Sequence, residues 1–413
     1  MLPLTRIVLF LAFSFANLFG CTVDRDQDKG HASNRSENSL VYPQYRLEPR
    51  HQGLSPSGAK LGPDLKVAWK SASLGIGDYT ASKSSPAVDV DMVFVGADDG
   101  QLFALDRSDG SVIWSYQTHR YWVENENEES EHYGIHGSPA FDDCCVYIGD
   151  YSGYLYAIYK DSGKLKWGKR LGGSIGASPV LFDERIFIAV EFPNPDGKVF
   201  ILDASDGSEL YSTPFLGHHP HGSVSIDAER EYLFVGANNG LFYCFDFSRE
   251  KEVWRFRSGG EIKSTAAIND DTVYFTSWDY KLHAIWIETG AERFGYRTQR
   301  GSMSSPSIYR DAIVFGSDDS YVYSIDAQSG RLRWKYQTGG IVLSSATIVQ
   351  DSEVVLIGSR DEYVYMLTLD EGEVLWSADL DAQVSSVPVA VEDALYVNDD
   401  SGTVWCFTDR TSL

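Results

Sequence analysis

Five of the nine histidines fall into two clusters, His132 with His136 and the run His218-His219-Pro220-His221. Imidazole can donate, accept or bind a metal, and small changes of surroundings near neutral pH decide which. These five residues are the candidate metal ligands, although their spacing matches no fixed zinc pattern. Around His132 the stretch from Thr118 to Ile135 carries Glu124, Glu126, Glu128, Glu129 and Glu131. Lys83 and Lys263 supply positive charge that could hold an anion. Cys144 and Cys145 are adjacent, while Cys244 and Cys406 sit in strand-like runs, so no disulfide framework or thiolate metal site emerges. The chain has no His-Glu-x-x-His or phosphate-loop pattern. Zinc-peptidase and phosphate-loop nucleotide chemistries therefore lack their usual residues.

The elements that must position these side chains are repeated. Three cassettes share one pattern: VFVGADDGQLFALDRSDGSVIWSYQT from Val93, VYIGDYSGYLYAIYKDSGKLKW from Val146 and VFGSDDSYVYSIDAQSGRLRWKYQT from Val314. Each reads as strand, acidic or Gly turn, strand, Asp/Ser-Gly turn, and a strand ending in Trp. The closing aromatic recurs as Trp69, Trp114, Trp167, Tyr211, Trp254, Phe294, Trp334 and Trp376, at intervals of 40 to 53 residues. That is about one four-stranded propeller blade per interval. A Ser-Pro-like element opens the innermost strand of each repeat: Ser85-Pro86, Ser138-Pro139, Ser178-Pro179, Ser223-Val224, Thr265-Ala266, Ser305-Pro306, Ser345-Ala346 and Ser386-Val387. The last repeat, from Ser385, has three strands, while Leu65 to Lys70 is an orphan strand carrying Trp69. The expected fold is an all-β, eight-bladed propeller over residues 65–413, its ring closed by the N-terminal strand so that no sheet edge stays open.

Blade topology sorts side chains by face. The innermost strand runs from one face, X, to the other, Y, and the second strand returns. The turn between strands two and three therefore shares face X with the lead-in to strand one. The lead-in residues should ring the channel mouth: Lys83, His136, Gly176, His221, Lys263, Met303, Leu343 and Val384. Lysines and histidines occupy blades 1, 2, 4 and 5, with apolar groups on blades 6 to 8, which is the form of a small-ligand pocket. A merely solvated mouth is the plainer reading. The turns Asp98-Asp99-Gly100, Asn238-Asn239-Gly240, Asp318-Asp319 and Asp399-Asp400 line the same face. Tight-turn preference accounts for them, with calcium as the alternative.

The spacing in Asp109-Gly110…Trp114, Ser162-Gly163…Trp167 and Ser329-Gly330…Trp334 resembles the PQQ-type propeller repeat, over residues 65–413. In that family the Trp packs between neighbouring blades. The resemblance leaves two functions open, a dehydrogenase using PQQ and calcium or a scaffold with no cofactor. The vicinal cysteines of quinone-cofactor alcohol dehydrogenases find a counterpart in Cys144-Cys145, yet here the pair follows Phe141-Asp142-Asp143, toward face Y and away from His136. Neither the calcium-binding Glu/Asn set nor the catalytic Asp of those enzymes finds a match. In plan the chain is similar to the outer-membrane lipoproteins of β-barrel assembly. That likeness implies a non-enzymatic scaffold whose partners are β-barrel assembly components, although their Leu/Arg-rich partner loop is replaced here by the His-rich Pro214 to His221.

The N-terminus points the same way. Leu2 to Phe19 is an apolar run whose only charge is Arg6, followed by Leu18-Phe19-Gly20-Cys21, a lipoprotein signal over residues 1–20 that leaves Cys21 to carry lipid. Thr22 lacks the Asp that would retain such a lipoprotein in the inner membrane, so the outer membrane is expected. Residues 21–64, rich in Asp, Ser, Gly and Pro without an apolar period, are expected to be a flexible tether. A formal charge of −24 argues against a nucleic-acid partner.

Overall fold

Alternating β-branched and aromatic residues between Gly- and Asp-rich turns form strands throughout. The computed structural model describes residues 41–75, 84–118 and 134–409, and these contain thirty-two strands in eight four-stranded antiparallel sheets. In seven blades the strands run in chain order outward from the channel, as in Ala87–Val88, Met92–Gly96, Gln101–Asp106 and Val112–Gln117. The eighth contains Val389–Val391, Ala394–Asn398 and Val404–Thr408, with Lys66–Lys70 as its outermost strand. The ring is therefore closed by the N-terminal strand, an eight-bladed all-β propeller.

The repeat's Trp and Gly are two halves of one joint between blades. Trp114 Nε1 donates to Lys160 O at 2.8 Å, and Trp69, Trp254, Trp334 and Trp376 donate to the next blade in the same way, at 3.0, 2.7, 2.8 and 3.0 Å. The glycine opposite is obligatory. Gly163 has φ of 65°, and a Cβ there would lie 2.7 Å from the Trp114 ring. Apolar clusters between blades, such as the one joining Ile188, Val199, Val224 and Leu233, form the core.

Residues 41–64 are not a tether. Eight inner strands present bare edges to the channel, and unpaired backbone groups there would be costly. The segment meets this need blade by blade. Tyr42 exchanges backbone bonds with Val88, at 2.7 and 2.9 Å. Phe141, Ile226, Ile268, Ile308 and Ile348 then donate their N–H groups to the carbonyls of Pro43, Pro49, Arg50, Gln52 and Gly53, all at 2.8 to 2.9 Å. Leu181 N–H donates to Gln44 Oε1 at 2.8 Å, and Lys60 N–H reaches Glu392 O on the last blade at 2.7 Å. This strap thus visits all eight blades in order. Its composition hides it, because the partners of each residue lie on a different blade. At its centre Arg46 is fully buried, donating to the carbonyls of His51, Ser305 and Pro306 and to Ser307 Oγ. Burial pulls its guanidinium below the usual range. Gly53, with φ of 70°, passes so close that any Cβ would enter the Ser307 side chain and the Arg46 guanidinium.

Candidate functional site

Above the strap the channel forms a well of about 240 Å³ whose lining runs from Tyr45 to the mouth on face X. Its waist is a hydroxyl girdle built from the Ser-Pro-like elements. The backbone N–H of Ser85, Ser138, Ser178, Ser223, Thr265 and Ser305 each donates to the hydroxyl of the next blade, at 2.8 to 2.9 Å. Val387 N–H returns to Ser85 Oγ at 2.9 Å. Sequence reading missed this role, though a hydroxyl at one position of seven repeats was its signal.

The mouth itself is set by the turn between strands two and three. Its second residue donates a backbone N–H to the carbonyl two positions before the mouth residue, as in Tyr151 to Gly134, Asn238 to His219, Trp278 to Glu261 and Asp318 to Gly301. His136, Gly176, His221, Lys263, Met303 and Leu343 line the well as expected from topology. Val384 does not. It is fully buried with its methyl groups over Gly358, as Val342 lies over Gly316. The last repeat is shifted by one residue, so Ser385 occupies the mouth and Val387-Pro388, not Ser386-Val387, opens the inner strand. Lys83 and His132 lie outside the described residues, as does Cys21.

Among the described residues, the basic groups at the mouth each lie against a carboxylate. His136 Nε2 lies 3.3 Å from Asp98 Oδ1, and its ring stacks obliquely on Tyr151 with centroids 4.3 Å apart. Burial, then the carboxylates of Glu191 and Asp98, push the Tyr151 phenol well above its ordinary range. Lys263 Nζ sits 2.8 Å from Glu261 Oε2 and 4.3 Å from the Trp278 ring centroid. Its charge is neutralised before any anion arrives. Asp99, Asn239 and Asp319 accept N–H groups of their own turns, from Gln101, Leu241 and Tyr321, which is turn chemistry and leaves those oxygens little capacity for calcium.

The five-histidine set is not one cluster. His219 and His221 come together around Glu191, at 3.5 and 2.8 Å, while His136 belongs to Asp98. His218 Nδ1 accepts the His219 backbone N–H at 3.0 Å. Glu191 escaped sequence reading, although a lone acid in the apolar run Arg185–Phe192 was a signal. That strand and its partner Asp196–Asp203 run eight residues each, and Glu191 extends the sheet by pairing with Ser174. The His loop is pinned by Leu216, whose carbonyl accepts Asn239 Nδ2 at 2.8 Å and Tyr243 Oη at 2.5 Å.

On the opposite arc Asp400 accepts from Ser385 N–H at 3.1 Å and from Ser385 Oγ at 2.8 Å. Burial above all pushes its carboxyl up to about 6. The folded state then holds the proton more tightly than the unfolded one, so stability is greatest below about pH 4 and is lost as pH rises through 6. Asp400→Asn forfeits one acceptor but removes the buried charge. It is expected to gain about 1 kcal/mol at pH 8 and nothing at pH 4, as read by urea unfolding at both.

Fold and site together define an eight-bladed propeller of PQQ-like repeats. The chain belongs to the family described as outer membrane protein assembly factor BamB, whose family model matches residues 63–133, 120–220 and 195–412. Among similar proteins, BamB of Shewanella oneidensis is 22% identical over 242 residues, covering 54% of this chain and 59% of that protein. The chain thus spans under two thirds of that relative's length. Quinohemoprotein alcohol dehydrogenase ADH IIB of Pseudomonas putida is 36% identical over 201 residues, 46% of this chain and 25% of the enzyme. The crystal structure of BamB from Moraxella catarrhalis superposes with a TM-score of 0.66 at 19% identity, over 84% of this chain and 99% of that one.

Proposed function

We propose that this chain is an exported, non-enzymatic scaffold of the cell envelope, held to the outer membrane through lipid on Cys21, that docks a component of the β-barrel assembly machinery on face X. The observation that carries this reading is a set of exposed aromatic rings. Phe215, Trp278 and Tyr280 stand 56%, 41% and 42% exposed on face X of blades 3 to 5, and the described basic residues of the mouth, His136, His221 and Lys263, each face a carboxylate. Each ring lies under a cation, Lys198, Lys263 and Arg297 respectively, at 4.4, 4.3 and 5.7 Å. Rings held in place in this way lose little freedom on docking, and Trp and Tyr are the commonest anchors of protein interfaces.

A PQQ site is not favoured by the residues present. A tricarboxylate quinone needs free cationic donors, and among the described mouth residues His136, His221 and Lys263 each face a carboxylate. The well of about 240 Å³ also lies under the ~300 Å³ at which pockets for ligands of that size begin.

Capture from detergent-solubilised envelopes with the lipidated full-length protein, followed by mass spectrometry, tests the reading. β-Barrel assembly components should be recovered, and Phe215→Ala with Trp278→Ala should cut recovery by about 30-fold or more without lowering the unfolding temperature. Dye reduction on adding PQQ and calcium, with no partner captured, would favour the dehydrogenase instead.

A further inference from the structure

We propose that Glu191, His219 and His221 bind one divalent transition-metal ion, zinc above all, at the seam between blades 3 and 4 on face X. Their ligand atoms all lie within 4.8 Å of one another. Ligands about 2.0 to 2.2 Å from a shared ion stand roughly 3 to 3.5 Å apart, so small movements of two partly exposed rings complete the set.

Three features favour a cation over a plain hydrogen-bonded cluster. The Glu191 side chain is 7% exposed, and its Oε1 makes no aligned hydrogen bond although His221 Nδ1 lies 2.8 Å away. Buried carboxylate oxygens are rarely left so without an ion or another partner. His219 Nε2 lies 3.0 Å from Phe192 O, and a carbonyl can only accept. In the neutral ring this fixes Nδ1 as a lone pair, and it lies 3.5 Å from Glu191 Oε2. Two lone pairs this close repel unless something positive, a bound cation or a proton on Nδ1, stands between them. A ring N–H bonded to a backbone carbonyl is also the usual way a ligating histidine is oriented.

Two imidazoles and one carboxylate make the donor set of three-ligand zinc sites that keep a further position open. Here the open side faces solvent, since His219 and His221 are 29% and 30% exposed. The ion would join the extended hairpin of blade 3 to the Pro214 to His221 loop, stiffening the ground beside Phe215. Neither His218 nor His136 takes part, because the first accepts its neighbour's backbone N–H and the second belongs to Asp98.

The test uses the full chain without a polyhistidine tag, stripped with chelator and titrated with cobalt(II) and then zinc. One ion per chain should bind, cobalt should give the strong visible absorption of a low-coordinate nitrogen–oxygen site, and zinc should raise the unfolding temperature. His221→Ala and Glu191→Gln should each weaken binding by at least about 100-fold, whereas His218→Ala and His136→Ala should not. The proposal is overturned if the stripped protein takes up no zinc, or if uptake survives both His221→Ala and Glu191→Gln. Should Glu191→Gln fail to fold, His221→Ala on the exposed loop decides alone.

Discussion

Arg46→Ala is expected to lower the free energy of unfolding by about 3 kcal/mol, among the largest effects of any single change in this chain. The guanidinium serves three carbonyls and Ser307 Oγ from one buried position. Each acceptor left dry costs about 1 to 3 kcal/mol, partly offset by entering water and by removal of a buried charge. Lysine should rescue little, because one ammonium cannot span a fork of acceptors. Urea unfolding gives the energy and amide exchange gives the cause. The N–H groups of Phe141, Ile226, Ile268, Ile308 and Ile348 all donate to the strap, so they should exchange faster in Arg46→Ala while outer strands keep their protection. Unchanged exchange at these five amides would mean that the strap does not depend on Arg46.

The same strap confers an acid sensitivity. Burial first, and the Arg46 charge second, push His51 down to about 3, and its Nε2 lies 2.9 Å from Val224 O. The unfolded ring takes a proton near its ordinary value of about 6.5. Between the two values the unfolded state holds more protons, so stability is full above pH 6.5 and falls toward 3, by about 3 kcal/mol at pH 4. His51→Gln keeps a donor and should flatten that slope.

Trp69→Ala should cost about 3 kcal/mol, and its consequence differs in kind. Trp69 is 8% exposed, donates to Arg107 O, packs 6.0 Å from Tyr396 and fills the space over Gly110. It also lies on the strand that closes the ring, paired with Cys406. Loosening Lys66–Lys70 bares the edge of Val404–Thr408, an apolar strand open to pairing with another chain. Light scattering during heating should therefore show early aggregation in Trp69→Ala, and less in Tyr211→Ala, where the aromatic makes no such closure.

The fold was legible because each blade repeats its own joint, and Trp with Gly at fixed spacing reports a contact between neighbours. The strap was not, since its pairing partners are spread over eight blades and impose no period on residues 41–64. At the mouth, topology located six lining residues. It misplaced the last repeat because Ser385 and Ser386 are chemically identical and only the packing of Val384 on Gly358 tells them apart. Charge pairing across blades was out of reach: Asp98 with His136 and Glu191 with His221 join residues 38 and 30 positions apart.

The central claim, a scaffold that docks its partner through face X, is tested most directly by photo-crosslinking in intact cells from two exposed positions. Trp278 stands on face X, and Val112 begins an outer strand on the rim of face Y. A photoreactive residue at 278 should trap a β-barrel assembly component while one at 112 traps none. Crosslinks from 112 with none from 278 would contradict the account.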